Sequence, residues 1–474
     1  MLNVPEYTDA SRVFHFFEKI CSIPHTSSNT KMIADYLTDF AKSRGLWYTR
    51  DAADNVIIRK PATRGYEDRP TVILQGHTDM VADKVAGFNI DMDRDGLEIY
   101  RDGDFIRAKG TTLGGDDGIA VAYALALLDS SDIEHPEIEA LLTSDEEIGL
   151  IGAAALDASV LKGRLMINID SDEEGIFTVG CAGGVRMDID LGVEREEKRQ
   201  KNLYRISVSG LLGGHSGTEI DKNRSNAIKV LEDVIENIKG IKLIDISGGN
   251  ADNAIPRFAE CVIALDDANF TEKNTVQNVI DKYSENEPDI KIIIEKFSDI
   301  REAITDADTA KILNLIKKMP TGVYKMSEDI PGLPETSSNL GIIETESGRV
   351  KLCTSVRSSK NAEKQALCKK IRDISEGCGA HVCERGAYPA WEYKKDSHLC
   401  ELMRRIYVDM YQKEPQIVTI HAGLECGIFS EKISGLECVS IGPDNRDIHT
   451  PDERLSISSA ARVWEYLKRV LKEI

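Results

Sequence analysis

The spacing of apolar and polar residues changes period repeatedly along this chain, and each change predicts an element. Apolar positions recur at helical intervals over residues 8–21 and 27–43, behind Thr, Asp and Ser residues suited to capping. Short apolar runs at 55–59 and 71–75 predict strands, and residues 91–108 predict a hairpin punctuated by Asp95-Gly96 and Asp102-Gly103. A Gly-rich loop from Thr111 to Gly118 opens a helix over 119–128. A strand at 138–142, a helix of small residues at 152–156 and a strand at 165–169 complete this first region.

Past Gly180-Cys181-Ala182-Gly183-Gly184, which reads as a hinge, the pattern changes. From 185 to about 393, short strands alternate with amphipathic helices at 225–238, 275–283, 304–318 and 362–374, a second unit with room for two βαβ-type halves. From 396 the earlier pattern returns, with a helix over 399–410, strands at 416–420 and 438–441, and a final helix over 456–471. Thr450-Pro451-Asp452-Glu453 has the form of a capped first helical turn. The predicted architecture is therefore α/β. A discontinuous outer domain, 1–184 with 396–474, has a mixed sheet sandwiched by helices, and an α/β domain, 185–395, is inserted into it.

The polar residues that carry chemistry stand where the apolar runs stop. Val72-Ile73-Leu74-Gln75 runs into Gly76-His77-Thr78-Asp79, and alternation along an extended chain puts His77 and Asp79 on one side. In open α/β sheets ligands gather beyond the carboxyl ends of such strands. The loop at 111–118 has the glycines of a phosphate cradle, but Asp116 and Asp117 would repel phosphate, so a metal-facing loop is the better reading. Asp145-Glu146-Glu147 follows the strand at 138–142, and Asp170 follows the strand at 165–169. An acidic run is usually solvated surface. Here three strands and one helix-opening loop each present an acid or a histidine at the same kind of place, which points to a shared site.

Composition narrows the setting. At 474 residues the chain exceeds one ordinary core, and its 41% hydrophobic and 29% charged content is that of a soluble globular protein. No stretch approaches the roughly 18 unbroken apolar residues of a membrane span. A net charge of −21 argues against nucleic acid and anionic membranes as partners. The first nine residues show neither a basic start nor an apolar signal core, and the ten cysteines form no Cys-x-x-Cys pair. Both features predict a cytoplasmic protein.

Five blocks in order resemble the M20 family of di-zinc peptidases: Gly76-His77-Thr78-Asp79, Gly114-Gly115-Asp116-Asp117, Asp145-Glu146-Glu147-Ile148-Gly149, Ile169-Asp170-Ser171 and Ile448-His449-Thr450-Pro451. Gly214-His215-Ser216-Gly217 and the segment from His421 to Gly427 are similar to its cytosolic dipeptidase branch, which includes aminoacyl-histidine (Xaa-His) dipeptidases. The resemblance covers nearly the whole chain. It implies a zinc-peptidase catalytic domain with an inserted lid, and two divalent ions per chain, zinc first, with cobalt or manganese as substitutes. Asp116 would bridge them, with His77 and Asp170 on one ion and Glu147 and His449 on the other. A water between two dications supplies hydroxide near neutral pH, Glu146 would be the general base, and Asp79 would fix His77. The family pattern also implies a cis peptide at Asp116-Asp117.

The same resemblance makes His215 an oxyanion donor and makes Asn253 and Arg357 substrate contacts, with Arg357 on a free C-terminal carboxylate. His15, His25, His135, His381 and His398 belong to no motif and read as structural or surface residues. The implied function is metal-dependent hydrolysis of dipeptides with free termini, of Xaa-His type or of broad specificity, by a monomer or a homodimer. An N-acyl-amino-acid deacylase or a tripeptidase of the same fold is the alternative within enzymes. A metal-binding interaction protein without catalysis is the alternative outside them, and Glu146 and Asp79 argue against it, because a purely structural site needs neither.

Overall fold

The computed structural model describes residues 8–200, 202–265, 273–297 and 299–474. Most of the N-terminal stretch read for a signal, residues 1–7, lies outside them. The chain forms two compact units. One comprises Met1–Gly180, Tyr393–Thr419 and Leu424–Ile474, and the other Cys181–Glu392 with Ile420–Gly423. Among the described residues no helix is long and apolar enough to cross a membrane.

The first unit is built on an eight-stranded sheet. In order across it stand Trp47–Arg50, Val56–Lys60, Ile138–Thr143, Val72–His77, Leu165–Asn168, Glu437–Ser440, Ile176–Cys181 and Gln416–Ile420. Its middle is parallel, with Val72–His77 between Ile138–Thr143 and Leu165–Asn168, and Glu437–Ser440 beside the latter. Antiparallel strands flank that middle. All six residues of Val72–His77 and all six of Ile138–Thr143 are buried. Strands covered on both faces read as near-continuous apolar runs, here Val72-Ile73-Leu74 and Ala140-Leu141-Leu142, which is why these were legible.

One covering element is the helix Gly115–Asp129, apolar all round and buried from Gly118 to Leu128, as a core helix must be. Its Tyr123 stacks on Trp464 of the final helix, Ile457–Glu473, with ring centroids 5.9 Å apart. Gly76 lets this helix approach the central strand. A methyl group there would press on Ala120 and come within 2.6 Å of an Asp117 oxygen. The opposite face carries the helix Glu425–Lys432, whose buried Glu425 accepts from Gln75 Nε2 at 2.5 Å and Thr143 Oγ1 at 2.6 Å. Asn168 Nδ2 donates to Gln75 Oε1 in turn. A polar ladder thus ties three strands together near their carboxyl ends.

The second unit corrects one expectation. Its main sheet orders Lys291–Phe297, Leu203–Ser209, Ala259–Leu265, Ile241–Gly248, Pro334–Glu346, Arg349–Ser358, Gly183–Gly192 and His381–Tyr388, with Gly322–Met326 also on Pro334–Glu346. Every described pairing in it is antiparallel, so βαβ halves are absent. Alternation of strands and helices does not fix strand direction. The finer pattern does: buried Val185, Met187, Ile189 and Leu191 alternate with half-exposed Arg186, Asp188 and Asp190, the mark of a sheet with one wet face. The supposed hinge is also part of the sheet, since Gly183 pairs with Ser358 and Gly184 with Arg357. Ile420–Gly423, expected in the outer domain, joins this unit, with Ile420 O accepting from Ala182 N at 3.0 Å and His421 Nε2 2.7 Å from Ser337 Oγ.

Gly76→Ala tests the close approach of helix and strand. Overpacking of this kind costs about 1–3 kcal/mol, so thermal unfolding should shift down by several degrees, and an unchanged melting temperature would contradict the packing described.

Candidate metal centre

The carboxyl ends of the parallel strands deliver the first residues. His77 ends its strand in register with Thr143, so Asp145, Glu146 and Glu147 emerge beside it, and Asp170 follows Leu165–Asn168 on the other side. The turn into Gly115–Asp129 brings Asp116, and the loop before Arg454–Ser456 brings His449. His449 has a φ of 61°, an uncommon backbone state for a residue other than glycine. The Asp116-Asp117 peptide is cis.

Asp116 is the centre of the arrangement. Its Oδ1 lies 3.1 Å from His77 Nε2 and its Oδ2 lies 3.1 Å from His449 Nε2. His77 Nε2 is also 3.7 Å from Asp170 Oδ1, and His449 Nε2 is 2.9 Å from Glu147 Oε1. Two triads result, His77–Asp116–Asp170 and Asp116–Glu147–His449, and in each the candidate ligand atoms lie within 4.8 Å of one another. Glu146 falls in a third group with His77 and Glu147. A fourth group, Glu232, Asp233 and Glu236, stands apart on one helix of the other unit.

Electrostatics show what the cluster is suited to hold. Burial alone would raise the Asp116 carboxyl, but hydrogen bonds from His449 and His77 outweigh it and hold it well below the usual range. Burial opposes charge on His77 too, yet Asp116, Asp170 and Asp79 hold its pKa well above normal. His449 is pushed up to about 10 by its bonds to Asp116 and Glu147. Burial raises Asp170 to about 6 and Asp172 to about 7, and lifts Glu146 and Asp117 well above the carboxylate range. Asp170 Oδ2 is buried without a hydrogen-bond partner. So many acids in one buried place call for positive charge, and oxygen and imidazole donors without thiolate fit hard or borderline divalent ions. The residues present fit the two ions that the sequence pattern implies.

Asp79 stands beside His77 with both its main chain and its carboxylate. His77 Nδ1 is 2.9 Å from the main-chain oxygen of Asp79 and 3.5 Å from its carboxylate. The carboxylate also accepts from Glu146 N at 2.9 Å, Glu147 N at 3.3 Å and Ser27 Oγ at 2.8 Å. It therefore shapes the turn that presents Glu146 and Glu147. Asp117 points into the core, where its Oδ2 accepts from His77 N at 3.2 Å.

One residue escaped the sequence reading, and another stands close by. Glu453, taken as part of a helix start, is buried and accepts from four consecutive amides, Leu113 at 2.7 Å, Gly114 at 3.0 Å, Gly115 at 2.8 Å and Asp116 at 3.3 Å. The helix itself begins later, at Ile457, capped by Ser456 Oγ. His25, read as structural, is buried beside the centre, with its Nδ1 2.6 Å from Ile23 O, and burial keeps it neutral. For Glu453 the sequence held no local signal of this role.

In the second unit, the short strand Gly214–His215 pairs with Ala254–Ile255, and Ser216 N donates to Asn253 O at 2.8 Å, so His215 and Asn253 are neighbours. His215 Nδ1 faces the amides of Gly217 and Thr218, each at 3.2 Å. Amides only donate, so Nδ1 accepts and the proton sits on Nε2, free to donate outward. Burial first, then the Arg357 charge, keeps this ring neutral. Asn253 and Arg357 line one small cavity together with Tyr388.

A model of peptidase family M20/M25/M40 matches residues 73–473. The chain belongs to that family. It is 36% identical to the cytosol non-specific dipeptidase of Escherichia coli strain K12 over 98% of this chain and 97% of that one. The crystal structure of the aminoacylhistidine dipeptidase from Vibrio alginolyticus matches with a TM-score of 0.89 and 35% identity, over 98% of this chain and 96% of that one. Aminopeptidase PepT from Bacillus cereus shares the fold, with a TM-score of 0.58 and 16% identity over 98% of both chains. The M20/M25/M40 match spans all seven residues gathered at the centre.

Glu453→Ala tests the amide cradle. It strands several buried N–H groups, each costing about 1–3 kcal/mol when left unpaired. The expected result is a lower melting temperature together with weaker metal retention, and unchanged values for both would remove Glu453 from the account.

Proposed function

We propose that this chain is a metal-dependent dipeptidase acting on dipeptides with free termini. The observation that carries the reading is Asp116, whose two oxygens meet different histidines. In this reading His77, Asp116 and Asp170 hold one ion, and Asp116, Glu147 and His449 hold the other. Zinc suits the donor set first, with cobalt or manganese as substitutes. When bound, the ions supply an acidified water and an electrophile for the scissile carbonyl.

The remaining work falls to the chain's own groups. Glu146 takes the proton of the attacking water and returns it to the departing amine. Asp79 keeps Glu146 in place through its amide. His215 donates from Nε2 to the oxyanion, Arg357 grips the terminal carboxylate, and Asn253 completes the substrate contacts. We assign catalysis to 1–184 with 396–474 and substrate binding to the inserted lid, 185–395. The names of the Escherichia coli and Vibrio alginolyticus relatives support a dipeptide over an acylated amino acid.

A dipeptide library offered to metal-stripped and metal-restored protein tests this. Turnover is expected only after restoration and only on free dipeptides, and preferred cleavage of N-acetylated substrates would overturn it. Glu146→Gln should keep its metals and lose roughly 10²–10⁴ in kcat. His215→Ala should lose roughly 10²–10³ in kcat with KM little changed. A His215→Ala enzyme with normal kcat would remove the histidine from the oxyanion role.

A further inference from the structure

Among the described residues no carboxylate pairs with Arg357. Its neighbour Arg186 pairs with Asp252, whereas Arg357 has a buried, unpartnered Nε and gives Nη1 to a phenol, Tyr388 Oη, at 3.0 Å. A half-buried guanidinium without a counter-ion is a site prepared for an anion.

The phenol is held there by the backbone around it. Tyr388 ends the edge strand His381–Tyr388 and pairs with Gly184 across the ladder. A methyl group at residue 184 would come within 2.5 Å of its hydroxyl, and one at residue 423 within 2.7 Å of its ring. Two glycines, far apart in sequence, thus leave the slot that the ring fills. The buried Lys364 amine donates to the Tyr388 carbonyl and anchors the same residue from behind. Burial raises the phenol's pKa, so it keeps its proton at neutral pH. Having accepted from Arg357, the hydroxyl still has that proton to donate.

We infer that Tyr388 is a second carboxylate-recognising group, which orients the Arg357 guanidinium and donates its own proton to the free C-terminal carboxylate of the dipeptide. This rests on the reading of Arg357 as the carboxylate grip. The guanidinium only donates and the hydroxyl's acceptor is already engaged by it, so the pair favours a carboxylate over a C-terminal amide, whose NH₂ would meet those donors unpaired. Gly184 then serves close approach of the tyrosine, and Gly423 forms the opposite wall of the same slot.

Tyr388→Phe removes the hydroxyl and keeps the ring in its slot. Hydrolysis of a dipeptide and of its C-terminal amide, compared across wild type, Tyr388→Phe and Arg357→Met, gives the decisive ratio. Calorimetric binding of the two forms reads the same ratio without turnover. The expectation is that Tyr388→Phe raises KM for the acid roughly 10-fold with kcat little changed, and leaves the amide as it was. Arg357→Met should show a larger loss of the same kind. If Arg357→Met lowers the acid-to-amide preference and Tyr388→Phe does not, the tyrosine inference is wrong and the arginine reading stands. If neither changes the preference, the arginine reading itself falls. Equal losses on acid and amide in Tyr388→Phe would make the tyrosine structural and overturn the inference.

Discussion

Buried negative charge is the constraint on which the first unit depends. Asp116, Glu146, Glu147 and Asp170 converge from three chain segments, and burial alone would drive the carboxyls of Asp116, Glu146 and Asp170 toward the neutral form. Two histidines bonded to Asp116 answer part of that charge from inside the protein. In the proposed reading divalent ions would answer it more fully, and would need the same histidines neutral, as ligands. Much of the surrounding architecture serves to hold these acids together against their repulsion. The parallel strands align His77 with the turn at Asp145 to Glu147, the Gln75–Glu425 ladder ties the strand ends, and Glu453 grips four amides of the loop that carries Asp116.

The parts of the site legible in the sequence were those whose residue types are chemically unusual at their location. His77 and Asp170 stand immediately beyond apolar runs, and Asp116 sits behind two glycines, so each interrupts a pattern. The central strands were legible because burial on both faces favours apolar runs such as Val72-Ile73-Leu74 and Ala140-Leu141-Leu142. The antiparallel direction of the inserted sheet was not, because a strand–helix alternation is compatible with either direction. The alternating burial of Gly183–Gly192 held that information in a finer period than the one used to place elements.

What the sequence concealed were contacts between residues distant in the chain. Glu453 lies 337 residues from Asp116, and its acceptor role depends on a loop whose path no local pattern encodes. Thr450-Pro451 resembles a helix start by composition, yet Thr450 Oγ1 receives Asp452 N at 3.2 Å and makes only a turn. Gly184 is ambiguous in the same way. A glycine signals freedom or close approach equally well, and only the ring of Tyr388 against it decides for the second.

The central claim is that one carboxylate, Asp116, joins two metal positions. Metal stoichiometry per chain, measured after dialysis of wild type, Asp116→Ala, Asp170→Ala and His449→Ala, tests it most directly. The account predicts two ions in the wild type, one in each of the outer-ligand variants, and loss of both in Asp116→Ala. Two fully retained ions in Asp116→Ala would contradict it.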